Sequence, residues 1–518
     1  MASFQIVYDD FSGGQYMGQK ATNLPKNTFQ GENVLSTTHG ELIPTGVYPL
    51  GYADAPVNVD YAEIRDLWQV AETAYAFVHW SASGTNYSRM ISNITTAVTS
   101  TYDYATGGVI LGRVAFDSTS NSFYYVSGTA LGGRTIRNIT ISGTDTLVSS
   151  GVFTTGLWPS EIALYGYRLI CWGSQSNRLY YSNTDKSTFS LSQYYEFNGL
   201  ILNVAVRTND LLVFTSSGLY SVVGVLGSSV TIQLISPALN IIEGMTDMAL
   251  VNRVPYFLDN QDKGQIDGRL QRMVGSTTDV FASIRADDIA TANTPLLANN
   301  YQVARVATIN NGSIVVQMKN GTSYVQTRSG SWTRLKYAVS PAPISDKNQY
   351  AVAKYAVKNA AIDQYPADEY FVAAYIDGTH AKRRLTFYRY IHNVYQAPFL
   401  DQNFNAPWTS GTVLATGTVR LSEYWHQRPF SVRQVIIEYK TSSSASITAT
   451  VEPTGCLDAL ASNISSLTST GVAAGSQATS AYVTEQFLCD NASKGYGAKV
   501  SLSLQGCSVR RVILNCED

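Results

Sequence analysis

The feature that most constrains this chain is a hairpin that keeps returning. An alternating apolar strand runs into a Gly/Asn/Ser turn, and a second strand carrying tyrosine follows. The unit occurs at 74–80 with 87–91, 112–116 with 122–126, 168–172 with 178–182, and 210–214 with 219–222. It occurs again at 248–251 with 254–258, 312–318 with 322–325, and 370–376 with 384–388. Turn chemistry makes each unit a β-hairpin. The spacing is uneven but clusters near roughly 40 to 60 residues, the period of four-stranded propeller blades rather than of helical repeats.

Composition agrees. The chain has 34 Tyr and 39 Gly, and only 14% of its 518 residues are charged. β-branched and aromatic residues fit a pleated, half-buried surface, and Gly, Asn and Ser supply turns. The class predicted is all-β: a β-propeller of about six or seven irregular blades over 46–395, with an extended N-terminal arm over 1–45 and an antiparallel β-sandwich over 396–518. Stacked β-sandwiches, which use the same hairpins, are the alternative to the propeller. The arm is expected to pack on something other than a core of its own, because Phe11, Tyr16, Met17, Leu24 and Phe29 are poor residues to leave in water. Two short helices are expected to interrupt the strands. One spans 61–71, where Tyr61, Ile64, Leu67 and Trp68 keep a helical spacing, and the other starts at Asp287-Asp288-Ile289-Ala290. Four of five cysteines (Cys456, Cys489, Cys507, Cys516) lie in the last segment, as one or two bridges or as reduced, buried thiols.

Charge and hydropathy exclude several functions. Thirty-six Lys+Arg against 38 Asp+Glu give −2, which argues against a broad basic face for nucleic acid. No run approaches about 18 uncharged apolar residues, so no helix spans a membrane. The opening residues lack the charged and apolar regions of a secretory leader, and none is expected. Catalytic sets are scarce. The five histidines (His39, His79, His380, His392, His426) include no i, i+4 pair, and no Cys-x-x-Cys occurs, so no metal site is expected. Asp259-Asn260-Gln261-Asp262-Lys263-Gly264 imitates a calcium loop, but Lys263 cannot ligate and no glutamate closes it, so it reads as a turn. There is no Gly-x-Ser-x-Gly elbow and no phosphate loop. His79-Trp80 and Trp425-His426 are candidates for stacking on a sugar, set against the commoner role of strand-end aromatics in a core. The reading is of a non-enzyme without cofactor, catalytic or metal residues.

The opening residues carry a resemblance. Phe4-Gln5-Ile6-Val7-Tyr8-Asp9-Asp10-Phe11-Ser12-Gly13-Gly14, then Asn23-Leu24-Pro25, Gly31-Glu32-Asn33-Val34 and Gly40-Glu41-Leu42, resemble tail nozzle, or tail tubular protein B-like, virion proteins of short-tailed bacteriophages. The resemblance implies a homo-oligomeric ring, a hexamer, in the tail of the virion. It would lie below portal and adaptor, contact tail fibres or a needle, retain the packaged genome and conduct DNA during ejection. In such a ring the arm would brace a neighbour or the adaptor. A near-neutral chain suits the role, since strongly cationic walls would hold DNA and stall it. Few Lys or Arg are therefore expected on the lumen face. A receptor-binding or tail-fibre protein is the first alternative, and a propeller glycosidase the second.

Overall fold

The computed structural model describes residues 3–12, 14–15, 28–36, 40–54, 61–70, 73–82, 84–94, 101–128, 133–153, 159–173, 175–207, 209–237, 416–455, 465–470, 482–489 and 494–518, and between 249 and 414 the individual strands. Every regular element among them is a strand.

Seven sets of four antiparallel strands follow one another. Blade 1 is Tyr61–Val70, Thr73–Ala82, Thr85–Ile94 and Thr101–Ala105. Blade 2 is Ile110–Asp117, Ser122–Gly128, Arg134–Thr140 and Asp145–Phe153. Blade 3 is Glu161–Tyr165, Arg168–Trp172, Arg178–Ser182 and Phe189–Glu196. Blade 4 is Ile201–Val206, Asp210–Thr215, Gly218–Gly224 and Val230–Ser236. Blade 5 runs from Ala249–Val251 to Thr277–Ile284, and blade 6 from Val303–Thr308 to Trp332–Leu335. Blade 7 takes Tyr350–Val352, Phe371–Ile376 and Arg384–His392 from the end of the repeat, and its outer strand, Leu42–Asp54, from the beginning. The first strand of blade 1 lies against that of blade 2, and blade 2 against blade 3. The ring returns at Tyr350–Val352, whose strand lies against Tyr61–Val70. The short strand Lys354–Ala356 also adds to Tyr61–Val70 in parallel. The chain is therefore an all-β propeller, and each of the seven hairpins read from the sequence falls in a different blade.

The tyrosine-rich strands have a physical reason. A blade is covered on both faces, so its middle strand must be apolar on both, unlike the one-sided strand of a sandwich. All of Ser122–Val126 is buried. Phe123 and Tyr125 face blade 1, where Phe123 meets Phe77 edge-on at 4.9 Å. Tyr124 and Val126 face blade 3 and pack with Leu169, Cys171 and Tyr180. Leu179 then joins the layer between blades 3 and 4 with Trp172 and Val213. Near the rim, Lys186 Nζ of blade 3 meets Asp117 Oδ2 of blade 2 at 2.6 Å, both largely buried. Burial pushes the Asp117 carboxyl up, but hydrogen bonds from Lys186, Thr119 and Ser120 outweigh it and leave it below the usual range.

The helix expected over 61–71 is a strand. Its register slips between Ile64 and Asp66. A β-bulge inserts one residue and breaks the two-residue alternation. The buried apolar positions then fall at Ile64, Leu67 and Val70, three apart, which mimics a helical face. The second expected helix, at 287–290, lies outside the described residues.

The C-terminal domain is built on two very long bent strands, Tyr424–Thr454 and Gly495–Glu517. Their lower halves pair at Val432↔Cys516 through Tyr439↔Val509, and their upper halves at Ser446↔Gln505 through Thr454↔Gly497. Between the halves both strands turn a corner, by a register shift at Thr441/Ser446 and by Gly506 at φ 63°. Strands that switch sheets at such corners make a sandwich with a shared core. The arm completes it. Ser3–Tyr8 pairs antiparallel with Gly495–Glu517, and Thr28–Glu32 with Thr416–Leu421. Phe11 and Phe29 are fully buried in the same core as Val435, Leu502 and Leu514. In its described segments the arm packs on this chain's own C-terminal domain.

Cys489, Cys507 and Cys516 carry buried thiols without disulfides, as does Cys171 in the propeller; Cys456 lies outside the described residues. Cys489 N donates to Arg433 O at 2.9 Å on one side of a strand whose other side pairs Val432 with Cys516. Two strand spacings, roughly 10 Å, exceed the Cα separation of about 7 Å that a disulfide tolerates. Of the two states left open by the sequence, these three cysteines take the reduced one.

Candidate functional site

The inner strands of the blades share a device. Each of Tyr61–Val70, Ile110–Asp117, Ile201–Val206 and Val303–Thr308 breaks register near its start, at Ile64/Asp66, Ile110/Val114, Ile201/Asn203 and Val303/Arg305. A bulge re-aims a side chain and leaves a backbone N–H without a ladder partner. In blades 1 and 4 a short polar side chain fills that need. Asp66 Oδ1 accepts from Leu67 N at 3.0 Å, and Asn203 Oδ1 from Val204 N at 2.8 Å.

The same groups link blades. Asp66 is 1% exposed, and its Oδ2 accepts from Val114 N of blade 2 at 2.9 Å and from Trp68 Nε1 at 3.2 Å. Arg113 N donates to Glu161 Oε2 of blade 3 at 2.9 Å, and the Arg113 Nε lies 3.5 Å from the same oxygen. Arg113 Nη2 donates onward to Asn203 Oδ1 of blade 4. The guanidinium also stands 5.6 Å over the Trp172 ring centroid. Side chains from the inner strands of three successive blades converge only near the axis, so Arg113, Glu161 and Asn203 form a polar chain there. Its one cation is held by a carboxylate and an amide oxygen. Its hydrogen bonds link blade 2 to blades 3 and 4. Among the described residues no group of three or more His, Cys, Asp and Glu could hold a metal ion.

The candidates read from the sequence are distributed differently. His79 is buried. Its Nδ1 lies 3.4 Å from Ser88 Oγ, which accepts from Ile110 N at 3.0 Å. Burial, with the Arg65 charge adding to it, lowers the His79 imidazole to about 4. Trp80 is fully buried, so this pair belongs to the core. Trp425 is 54% exposed, and its neighbour His426 is half-buried. The calcium-like run leaves the described residues after Asp259, and His39 and His380 lie outside them. Neither Arg113 nor Glu161 was singled out from sequence. The available signal was an aliphatic residue, one position, then a polar residue opening several inner strands (Ile64-Arg65-Asp66, Ile201-Leu202-Asn203, Val303-Ala304-Arg305).

No protein-family model and no curated protein matches the chain. Among solved structures it is similar to the β-propeller domain of the trilobed protease from Pyrococcus furiosus (6% identity, 64% of this chain and 94% of that one, TM-score 0.40). It is also similar to YCF48 from Cyanidioschyzon merolae (11%, 65% and 98%, 0.38). Virginiamycin B lyase from Staphylococcus aureus is a third (10%, 67% and 99%, 0.38). At these values the likenesses carry no argument about function, and the propeller rests on the strand pairings above.

Proposed function

We propose that this chain is a non-enzymatic structural protein of a short-tailed bacteriophage tail, one subunit of a homo-oligomeric nozzle ring, a hexamer, through which DNA leaves the virion. The observation that carries the proposal is the junction made by the residues on which the resemblance rests. Asp10 Oδ1 accepts from Ser12 N at 2.8 Å, and Phe11 N donates to Gly40 O at 3.3 Å. Gly40, at φ +74°, approaches so closely that a Cβ would lie 2.9 Å from Asp10 Oδ1. Two residues later Leu42 pairs with Ser36 and Val509 of the sandwich, and its strand runs on to Asp54 as the outer strand of blade 7. The motif thus ties the sandwich to the strand that closes the propeller. A two-domain unit welded by one continuous strand suits a part that bears load in a ring, where identical subunits meet through closing heterologous interfaces.

The test is electron microscopy of the purified particle, with this protein located by a small tag. A closed ring of this chain around an axial channel below the portal is expected, with few Lys or Arg on the lumen face. A single copy per particle, a trimeric fibre, or a lumen lined by basic rings overturns the proposal.

A further inference from the structure

Strand alternation sorts the aromatic residues at the start of Tyr424–Thr454 onto two faces. Tyr424 and His426 turn towards Phe4 and Phe430. Phe4 stacks on His426 at 4.9 Å and meets Phe430 edge-on at 5.3 Å. Trp425 points the other way, 54% exposed. One side of its indole rests on backbone. A Cβ at Gly455 would lie 3.2 Å from Cζ3, and one at Gly497 would lie 3.2 Å from Cδ2. Gly497 is inside a strand, paired with Trp425 itself. Glycine weakens a strand interior and recurs there where another group must come close; here the indole takes that space and is held flat.

Nothing described covers the other side. Trp425 has no ring or cation stacked on it among the described residues. The chain then leaves the ladder between Trp425 and Phe430, which exposes Gln427 and Arg428 within three residues of the ring. Arg428 N donates to His426 Nδ1 at 3.2 Å and fixes the start of that excursion.

We propose that Trp425 is a stacking platform for a saccharide, with Gln427 and Arg428 as its hydrogen-bonding rim. The C–H face of a pyranose is flat and apolar, whereas its edge is all hydroxyl. One rigid aromatic face beside planar polar side chains complements both. A protein partner is a poorer match. Among the described residues of the C-terminal domain the other large exposed apolar side chains, Val7 and Leu488, sit on other strands, opposite Ile513 and Gln434, and a stable protein interface needs about 800 Å² a side around an apolar core. Single-stranded nucleic acid would need a basic groove, but Lys499 is paired across the ladder with Glu452, and Glu423 lies five residues before Arg428. The proposal is independent of the ring reading and stands or falls apart from it.

The test uses the full chain with short soluble oligomers of glucose, galactose and N-acetylglucosamine, followed by saturation-transfer NMR and calorimetry. At least one series is expected to bind, with saturation strongest at ring C–H protons. Trp425→Ala should weaken it about tenfold or more, the effect of losing one aromatic stack. Trp425→Phe should hold affinity within about threefold and serves as the folded control. Equal binding by wild type and Trp425→Ala overturns the proposal, as does no binding across the three series. Binding of oligothymidylate through Trp425, or a change of oligomeric state in Trp425→Ala without any saccharide effect, overturns it in favour of a nucleic-acid or protein contact.

Discussion

Acid should loosen blade 1 through His79. The imidazole sits between the second and third strands of the blade, buried, with Ser88 Oγ 3.4 Å from Nδ1 and the Arg65 charge nearby. Burial first and Arg65 second lower it from 6.5 to about 4. Between these values the unfolded blade binds a proton that the folded one refuses. The stabilisation is therefore present above about pH 6.5 and lost as pH falls towards 4. At 1.36 kcal/mol per unit, moving from pH 7 to pH 5 costs about 2 kcal/mol. Carboxylates also respond to acid, so the informative quantity is a difference between proteins. Hydrogen exchange followed by mass spectrometry on peptides from Thr73–Ala82, corrected for the intrinsic rate at each pH, reads local opening directly. The wild-type opening free energy should fall by about 2 kcal/mol more than that of His79→Gln over this interval. Parallel falls in the two proteins would refute the reasoning.

Two further predictions follow from buried groups. Asp66→Ala orphans the buried Leu67 and Val114 N–H groups and should cost about 3 kcal/mol. Asp66→Asn should cost about 1 kcal/mol, because Asn203 fills the same position in blade 4; urea midpoints that do not separate the two variants would contradict the bulge argument. Burial pushes the Cys507 and Cys516 thiols up to about 12. Native protein at pH 8 should therefore leave both unalkylated by iodoacetamide while the denatured chain reacts fully, and rapid native labelling located by peptide mapping would contradict their burial.

Much of the fold was legible because its repeat is local. A hairpin needs only a turn and two strands, so each blade announced itself by one tyrosine-bearing pair. The middle-strand run Phe123-Tyr124-Tyr125-Val126 carries the decisive hint, since consecutive large apolar residues demand two covered faces. The misreading at Tyr61–Val70 had an equally local cause: a bulge shifts the apolar spacing from two to three. The axial chain of Arg113, Glu161 and Asn203 was illegible, because its members lie 48 and 42 residues apart and meet only once three blades are packed. The two Trp-His pairs looked alike in sequence, yet Trp80 fills a core and Trp425 faces solvent.

By itself the sequence determined the strands, the number of hairpins and the low charge, because backbone preference and turn chemistry act over a few residues. Only the tertiary structure decided where the ends go. Leu42–Asp54 closes the propeller and the first strand enters the C-terminal sandwich, since pairing across hundreds of residues is chosen by which exposed strand edges and apolar faces remain unfilled once each blade has formed.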